Sequence, residues 1–153
     1  MIKSLYSLVL LSFLVLGSCK DKQKNETTEE PAAPAAQAPE TFKEANPAVI
    51  DSLNNLLAKG TLVSDDDIMQ AYAPKDKTAE GKYSYTITRK EITKDQTELT
   101  LIEEGLMDDS RAAQKVIISL TRIDGQTRIT SIWENYKCQS GRGHETWSAE
   151  PCQ

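Results

Sequence analysis

The chain has very little that titrates near neutral pH, for His144 is its single histidine among 153 residues. A general acid–base role for that residue would need an orienting carboxylate, such as Asp108, Asp109 or Glu145, and the sequence marks out no nucleophile beside it. No apolar run reaches the ~20 residues of a bilayer-spanning helix, which excludes a transmembrane segment. Basic residues are in the minority, 18 Lys and Arg against 23 Asp and Glu for a net charge of −5. They are scattered among carboxylates, and without a basic patch or stripe a nucleic-acid partner is excluded. Internal repeats are missing, and so are the paired-cysteine spacings of common zinc sites. Cysteine occurs only three times, as Cys19, Cys138 and Cys152.

What is present begins at the N-terminus. Lys3 supplies a positive start, residues 5–16 an apolar core, and Leu16-Gly17-Ser18-Cys19 ends that core in small residues directly before a cysteine. This segment resembles a bacterial lipoprotein signal peptide, with residues 1–18 removed and Cys19 lipidated. The resemblance implies diacylglycerol on the Cys19 thiol and a third acyl chain on its amine. Two chains already give stable anchoring, at about 0.8 kcal/mol per buried methylene. The expected address is the bacterial cell envelope, at the outer membrane, with the membrane itself as a partner through the lipid. Only the charge of Lys3 leaves with the leader, so the mature chain has 135 residues and a net charge of −6.

From Cys19 to Ala45 the composition is that of a tether. Lys, Glu, Gln and Thr lead into Pro31-Ala32-Ala33-Pro34-Ala35-Ala36-Gln37-Ala38-Pro39, which carries too little apolar surface to fold and favours an extended spacer. Residues 46–153 are of a size to form one domain with its own core. Asn46-Pro47 reads as an N-cap followed by proline in the first turn, Gly60 as a C-terminal cap, and Val49, Ile50, Leu53, Leu56 and Leu57 fall between them at helical spacing. Ser64 before Asp65-Asp66-Asp67 predicts a second short helix stopped by Pro74. The three aspartates lack the alternation and glycine of a calcium loop, and carboxylates in a first helical turn are favoured by the helix dipole.

After Gly81 the apolar period becomes two. Tyr83, Tyr85 and Ile87, then Leu99 and Leu101, then Val116, Ile118 and Leu120 alternate with polar residues, and a fourth strand runs from Gln126 to Lys137. Lys94-Asp95-Gln96 closes the first hairpin and Asp124-Gly125 the last. Ile129 and Trp133 share one parity and Ile132 has the other, which predicts a bulge near Thr130. The fold class is α+β: one or two N-terminal helices packed on a four-stranded antiparallel meander, followed by a C-terminal loop.

That loop is dense in chemistry. With Cys19 consumed by lipid, an oxidising compartment leaves Cys138 and Cys152 as the one disulfide pair. Their loop of 15 residues is worth about 3 kcal/mol on a chain-entropy account. The rival reading makes Cys138, His144 and Cys152 zinc ligands, which needs reduced thiols and a fourth ligand. No cofactor or metal is expected.

The pieces Gly105-Leu106-Met107-Asp108-Asp109-Ser110 and Cys138-Gln139-Ser140-Gly141-Arg142-Gly143-His144-Glu145-Thr146-Trp147-Ser148, closed at Cys152, resemble signatures of small secreted bacterial proteins that are uncharacterised. The resemblance implies no activity. It marks Asp108, Asp109, Ser110, Arg142, His144 and Trp147 as a candidate recognition surface, with charge-assisted bonds between the two loops as the alternative, structural use of the same groups. Three functions stay open: a non-catalytic envelope lipoprotein that binds a protein or small molecule or is structural; a small envelope hydrolase using His144; and an inhibitor of an envelope-attacking enzyme such as lysozyme, the last by analogy of format. The lipid reading predicts that Cys19→Ser shifts the protein from the membrane to the soluble fraction of its native cells. Undiminished membrane retention of that variant would refute it.

Overall fold

A computed structural model describes residues 39–79 and 81–153. The signal segment, Cys19 and the tether up to residue 38 lie outside the described residues. Helix α1 (Pro47–Ala58) starts where Asn46 Oδ1 accepts the Ala48 N–H at 2.9 Å. Helix α2 (Asp65–Tyr72) opens on a full capping box, in which Ser64 Oγ accepts from Asp67 N and Asp67 accepts from Ser64 N, each at 3.0 Å. The three aspartates thus part company: Asp67 caps, Asp65 binds Arg89, and Asp66 accepts from Gln70. That dispersal agrees with the capping reading.

One antiparallel sheet follows, built from β1 (Lys43–Glu44), β2 (Ser84–Thr93), β3 (Gln96–Glu104), β4 (Arg111–Ile123) and β5 (Gln126–Cys138) in the order β1-β5-β4-β3-β2. The expected meander is β2 to β5. The expected count of four strands is corrected to five by β1, which lies in the segment whose composition reads as tether. Its pairing is made by the main chain, for which composition carries no signal. Ala45 N–H donates to Ile132 O at 2.9 Å, Asn135 Nδ2 donates to Thr41 O at 3.1 Å, and Ala45 is buried.

Turn chemistry sets the register. Asp124 (φ 51°) and Gly125 (φ 77°) supply the two left-handed residues of a type I′ turn. The slip between Ser119/Ser131 and Leu120/Ile129 leaves Thr130 as the extra residue of a bulge, which returns Ile129 and Ile132 to one face. That face carries Leu99, Leu101, Val116, Ile118, Leu120, Ile129 and Ile132 against Leu53, Ile68 and Met69 of the helices. At the end of β3, Gly105 (φ 72°) comes so near β2 that a Cβ there would sit 2.9 Å from Lys82 O. Cys138 and Cys152 form the expected disulfide, with Cα atoms 5.4 Å apart, and Cys138 N–H donates to His144 O at 2.8 Å inside the loop it closes.

The outer edge of β5 is closed by a succession of unlike partners. Ile129 gives its N–H to Asn54 Oδ1 (2.8 Å) and takes Asn54 Nδ2 on its carbonyl (2.9 Å), so one side-chain amide acts as a strand. Beyond it come Ala45, β1, and then Ser148, which exchanges backbone bonds with Tyr136 at 2.9 and 3.0 Å. A covered edge resists pairing with other chains. Asn54→Ala leaves both backbone groups of Ile129 without that partner, and should lower unfolding stability by about 1–3 kcal/mol in denaturant titration. A variant as stable as the parent would show that the amide pair contributes nothing.

Candidate functional site

The structure separates the six residues of the candidate recognition surface into three places. Asp108 is absorbed by its own loop. Its Oδ1 accepts from Ser110 N, Ser110 Oγ and Arg111 N, and its Oδ2 from Arg111 Nε (3.0 Å) and Nη2 (2.9 Å). These bonds, the backbone ones foremost, hold its carboxyl well below the usual carboxylate range. Asp109 beside it is exposed. His144 and Arg142 belong to the disulfide loop. His144 Nδ1 lies 2.8 Å from Thr146 O and Nε2 2.8 Å from Glu150 O, so both ring nitrogens are engaged by carbonyls. Glu145 accepts from Ser140 Oγ at 3.0 Å, and the ring of His144 has the Thr146 and Glu150 carbonyls, not Glu145, as its partners.

The two loops do meet, but through Gln139 rather than through charges. Its N–H donates to Ser110 O at 2.7 Å, and its amide reaches Asp108 O and Arg111 O at 3.3 Å each. Trp147 occupies the opposite face of the sheet, its ring 4.5 Å from Lys115 Nζ and 4.6 Å from Lys137 Nζ. The donor atoms of Cys138, His144 and Cys152 all lie within 4.8 Å of one another, yet both sulfurs are spent in the disulfide and only an imidazole nitrogen is left as a ligand.

Another convergence of polar groups among the described residues lies where the sheet overhangs the C-terminal end of α2. All four tyrosines of the described residues gather there: Tyr72, Tyr83, Tyr85 and Tyr136. Glu103 follows Leu99 and Leu101 on the helix-facing side of β3 and is almost fully buried, at 1% exposure. Isolated, such a carboxylate would be costly to bury. Here it accepts from Tyr83 Oη and Gln114 Nε2, and Tyr83 Oη in turn accepts the Asp76 N–H at 3.0 Å. Glu134, two residues past Ile132 on β5, accepts from Tyr72 Oη at 3.0 Å. Arg111 lies over the Tyr136 ring, 5.4 Å from its centroid.

A cleft of about 630 Å³ opens on part of this network, with Tyr72, Glu103, Gln114, Glu134 and Arg111 on its wall and the other tyrosines behind it. Its walls hold the carboxylates of Asp76, Glu103, Asp108 and Glu134 and one guanidinium, Arg111. Met107, 73% exposed, and Val49, 40% exposed, give it an apolar lip. Sequence reading singled out Asp108 but not Glu103, Glu134, Arg111 or Gln114. A signal existed in the alternation itself, since Glu103 and Glu134 hold parities that the pattern reserves for core residues.

Comparison with protein-family models, curated proteins and solved structures finds no match to this chain. The class is therefore defined by geometry alone: an α+β domain with an acidic cleft that has one tyrosine, Tyr72, on its wall.

Burial, reinforced by the neighbouring carboxylates, pushes all four phenols up from their ordinary value of 10.0, Tyr83 to about 12 and the other three further. They stay protonated donors across the physiological range. A folded-state value above the unfolded one means that the associated stability is complete below pH 10 and is lost as pH rises toward 12 and beyond. Tyrosinate absorbance should accordingly stay low at pH 10 to 11 and rise together with unfolding seen by circular dichroism. Ionisation of Tyr72, Tyr83, Tyr85 or Tyr136 near pH 10 in the folded protein would contradict the network.

Proposed function

We propose that this protein is a lipid-anchored envelope protein whose domain is a non-catalytic binding module for a cationic group. The observation that carries the reading is the charge of the cleft, four carboxylates against one guanidinium. Carboxylates beside the Tyr72 ring suit an amine or guanidinium, which gains both a charge-assisted hydrogen bond and a cation–π contact. The apolar lip of Met107 and Val49 suits the aliphatic stem of such a side chain. His144 bears on the hydrolase alternative, because both its ring nitrogens serve the loop and Glu145 serves Ser140. Among the described residues no helix is long and apolar enough to cross a membrane. Attachment in this reading rests on Cys19, with residues 20–38 as spacer.

A partner rich in lysine or arginine fits the cleft, and this keeps a cationic envelope-attacking enzyme such as lysozyme as the second reading. The test is titration of the full chain with an oligolysine peptide, its fully acetylated counterpart and lysozyme. Glu134→Gln keeps the shape and the acceptor for Tyr72 but removes the charge. It should weaken oligolysine binding about tenfold, which corresponds to about 1.4 kcal/mol. Equal binding of the acetylated peptide would refute a cationic site. Hydrolytic activity that disappears in His144→Ala would refute the non-catalytic reading.

A further inference from the structure

At the other end of the same sheet face, beyond the C-terminus of α1 and the N-terminus of α2, a second cleft of about 500 Å³ has the opposite charge. Its walls carry Arg89, Lys94, Arg122 and Arg128 against Asp65 and Asp95, an excess of two cations in a chain whose net charge is −5. Both carboxylates are already occupied. Arg89 Nη1 holds Asp65 at 2.7 and 2.9 Å, its Nη2 reaches Thr97 Oγ1 at 3.3 Å, and Lys94 Nζ lies 3.6 Å from Asp95. Arg122 and Arg128 make no ion pair among the described residues.

The placement is built by the fold. Arg89 stands in register with Leu99, and Arg122 comes two residues after Leu120, so both share the helix-facing parity. Arg122 N–H donates to Asp95 O at 2.8 Å, which ties the end of β4 to the β2–β3 turn and fixes the cleft's floor. Lys94 adds to the rim from that turn, and Arg128, which pairs with Thr121 and so has the opposite parity to Arg122, adds to it from the start of β5.

We infer that this cleft binds a phosphate-bearing ligand, a phosphomonoester or pyrophosphate group, either free or on a lipid headgroup. The guanidinium of Arg122, which no carboxylate holds, with Arg128 and Lys94 at the rim matches a multiply charged tetrahedral anion better than a single carboxylate, because guanidinium forks bind phosphate oxygens two at a time. Thr97 adds a neutral hydroxyl to the same wall. The site is independent of the acidic cleft and does not rest on the reading given for it.

The experiment titrates the full chain, held in non-ionic detergent micelles, with inorganic pyrophosphate, and separately dopes the micelles with phosphatidic acid. Backbone amide shifts in nuclear magnetic resonance give the readout. Saturable shifts at residues 94–97 and 121–128 with pyrophosphate establish a free phosphate as sufficient, and shifts confined to the doped micelles assign the headgroup. Arg122→Gln with Arg128→Gln should weaken that binding about tenfold or more. Glu134→Gln, on the other cleft, should leave it unchanged. Lys94→Gln, whose side chain is 90% exposed, should weaken it about threefold and serves if the double variant does not fold. No saturable shift in either arm, or full affinity in the arginine and lysine variants, overturns the assignment.

Discussion

Helices of 12 and 8 residues lie against strands of up to 13, and this mismatch of length governs where the remaining chemistry goes. At 1.5 Å per residue the longer helix spans about 18 Å, whereas the longest strands extend for about 43 Å. Whatever their angle, two such helices cover only the middle of the sheet. There the helix-facing positions are Leu99, Leu101, Val116, Ile118 and Ile132, all nearly inaccessible. Past each end of the helices the same row of positions continues, and it can be neither apolar without exposing a sticky surface nor charged without partners. Each overhang is resolved with polar groups, and each becomes a cleft.

The two resolutions differ in kind. At the α2 C-terminal end the sheet positions are still deep, and Glu103 tolerates its burial only because Tyr83 and Gln114 satisfy its oxygens. Hydrogen bonds in such a low-dielectric chain reinforce one another, and the loss of one member leaves the others buried without partners. That makes the acidic cleft rigid and preorganised, with tyrosine hydroxyls fixed as donors. At the hairpin-turn end the strands run out into solvent. Arg122 and Arg128 are exposed and remain free to reorient toward a ligand. One cleft is shaped by packing and the other by charge.

Local signals in the sequence carried most of the architecture. Helix caps at Asn46 and Ser64, the Asp124-Gly125 turn, the parity change at Thr130 and the Cys138–Cys152 bond all rest on short-range chemistry and all recur in the structure. Strand β1 was not legible because its pairing is made by main-chain atoms of residues that carry no apolar pattern. The acidic cleft was half legible. Asp108-Asp109-Ser110 points to its loop, but the other charged groups of the cleft come from separate elements, Asp76 from the segment after α2, Glu103 from β3, Arg111 from β4 and Glu134 from β5, and no window of consecutive residues contains them. His144 and Trp147 drew attention as chemically capable side chains. The partners of His144 are the carbonyls of Thr146 and Glu150 in its own loop, whose conformation the side-chain pattern does not encode, and those of Trp147 are two lysine ammonium groups on β4 and β5.

The scatter of positive residues along the chain is itself a product of the meander. In an antiparallel sheet, alternate strands reverse direction, so the late positions of β2 and β4 meet the early positions of β3 and β5. Arg89, Arg122 and Arg128 are far apart in sequence and lie at one end for that reason. By the same rule the early tyrosines of the β2 region join Glu103 from the end of β3, Gln114 from the start of β4 and Glu134 from late β5. Charges that alternate in sequence with a period of one hairpin become segregated in space. A net charge of −5 therefore describes neither cleft, and ligand specificity at each end follows from strand direction as much as from composition.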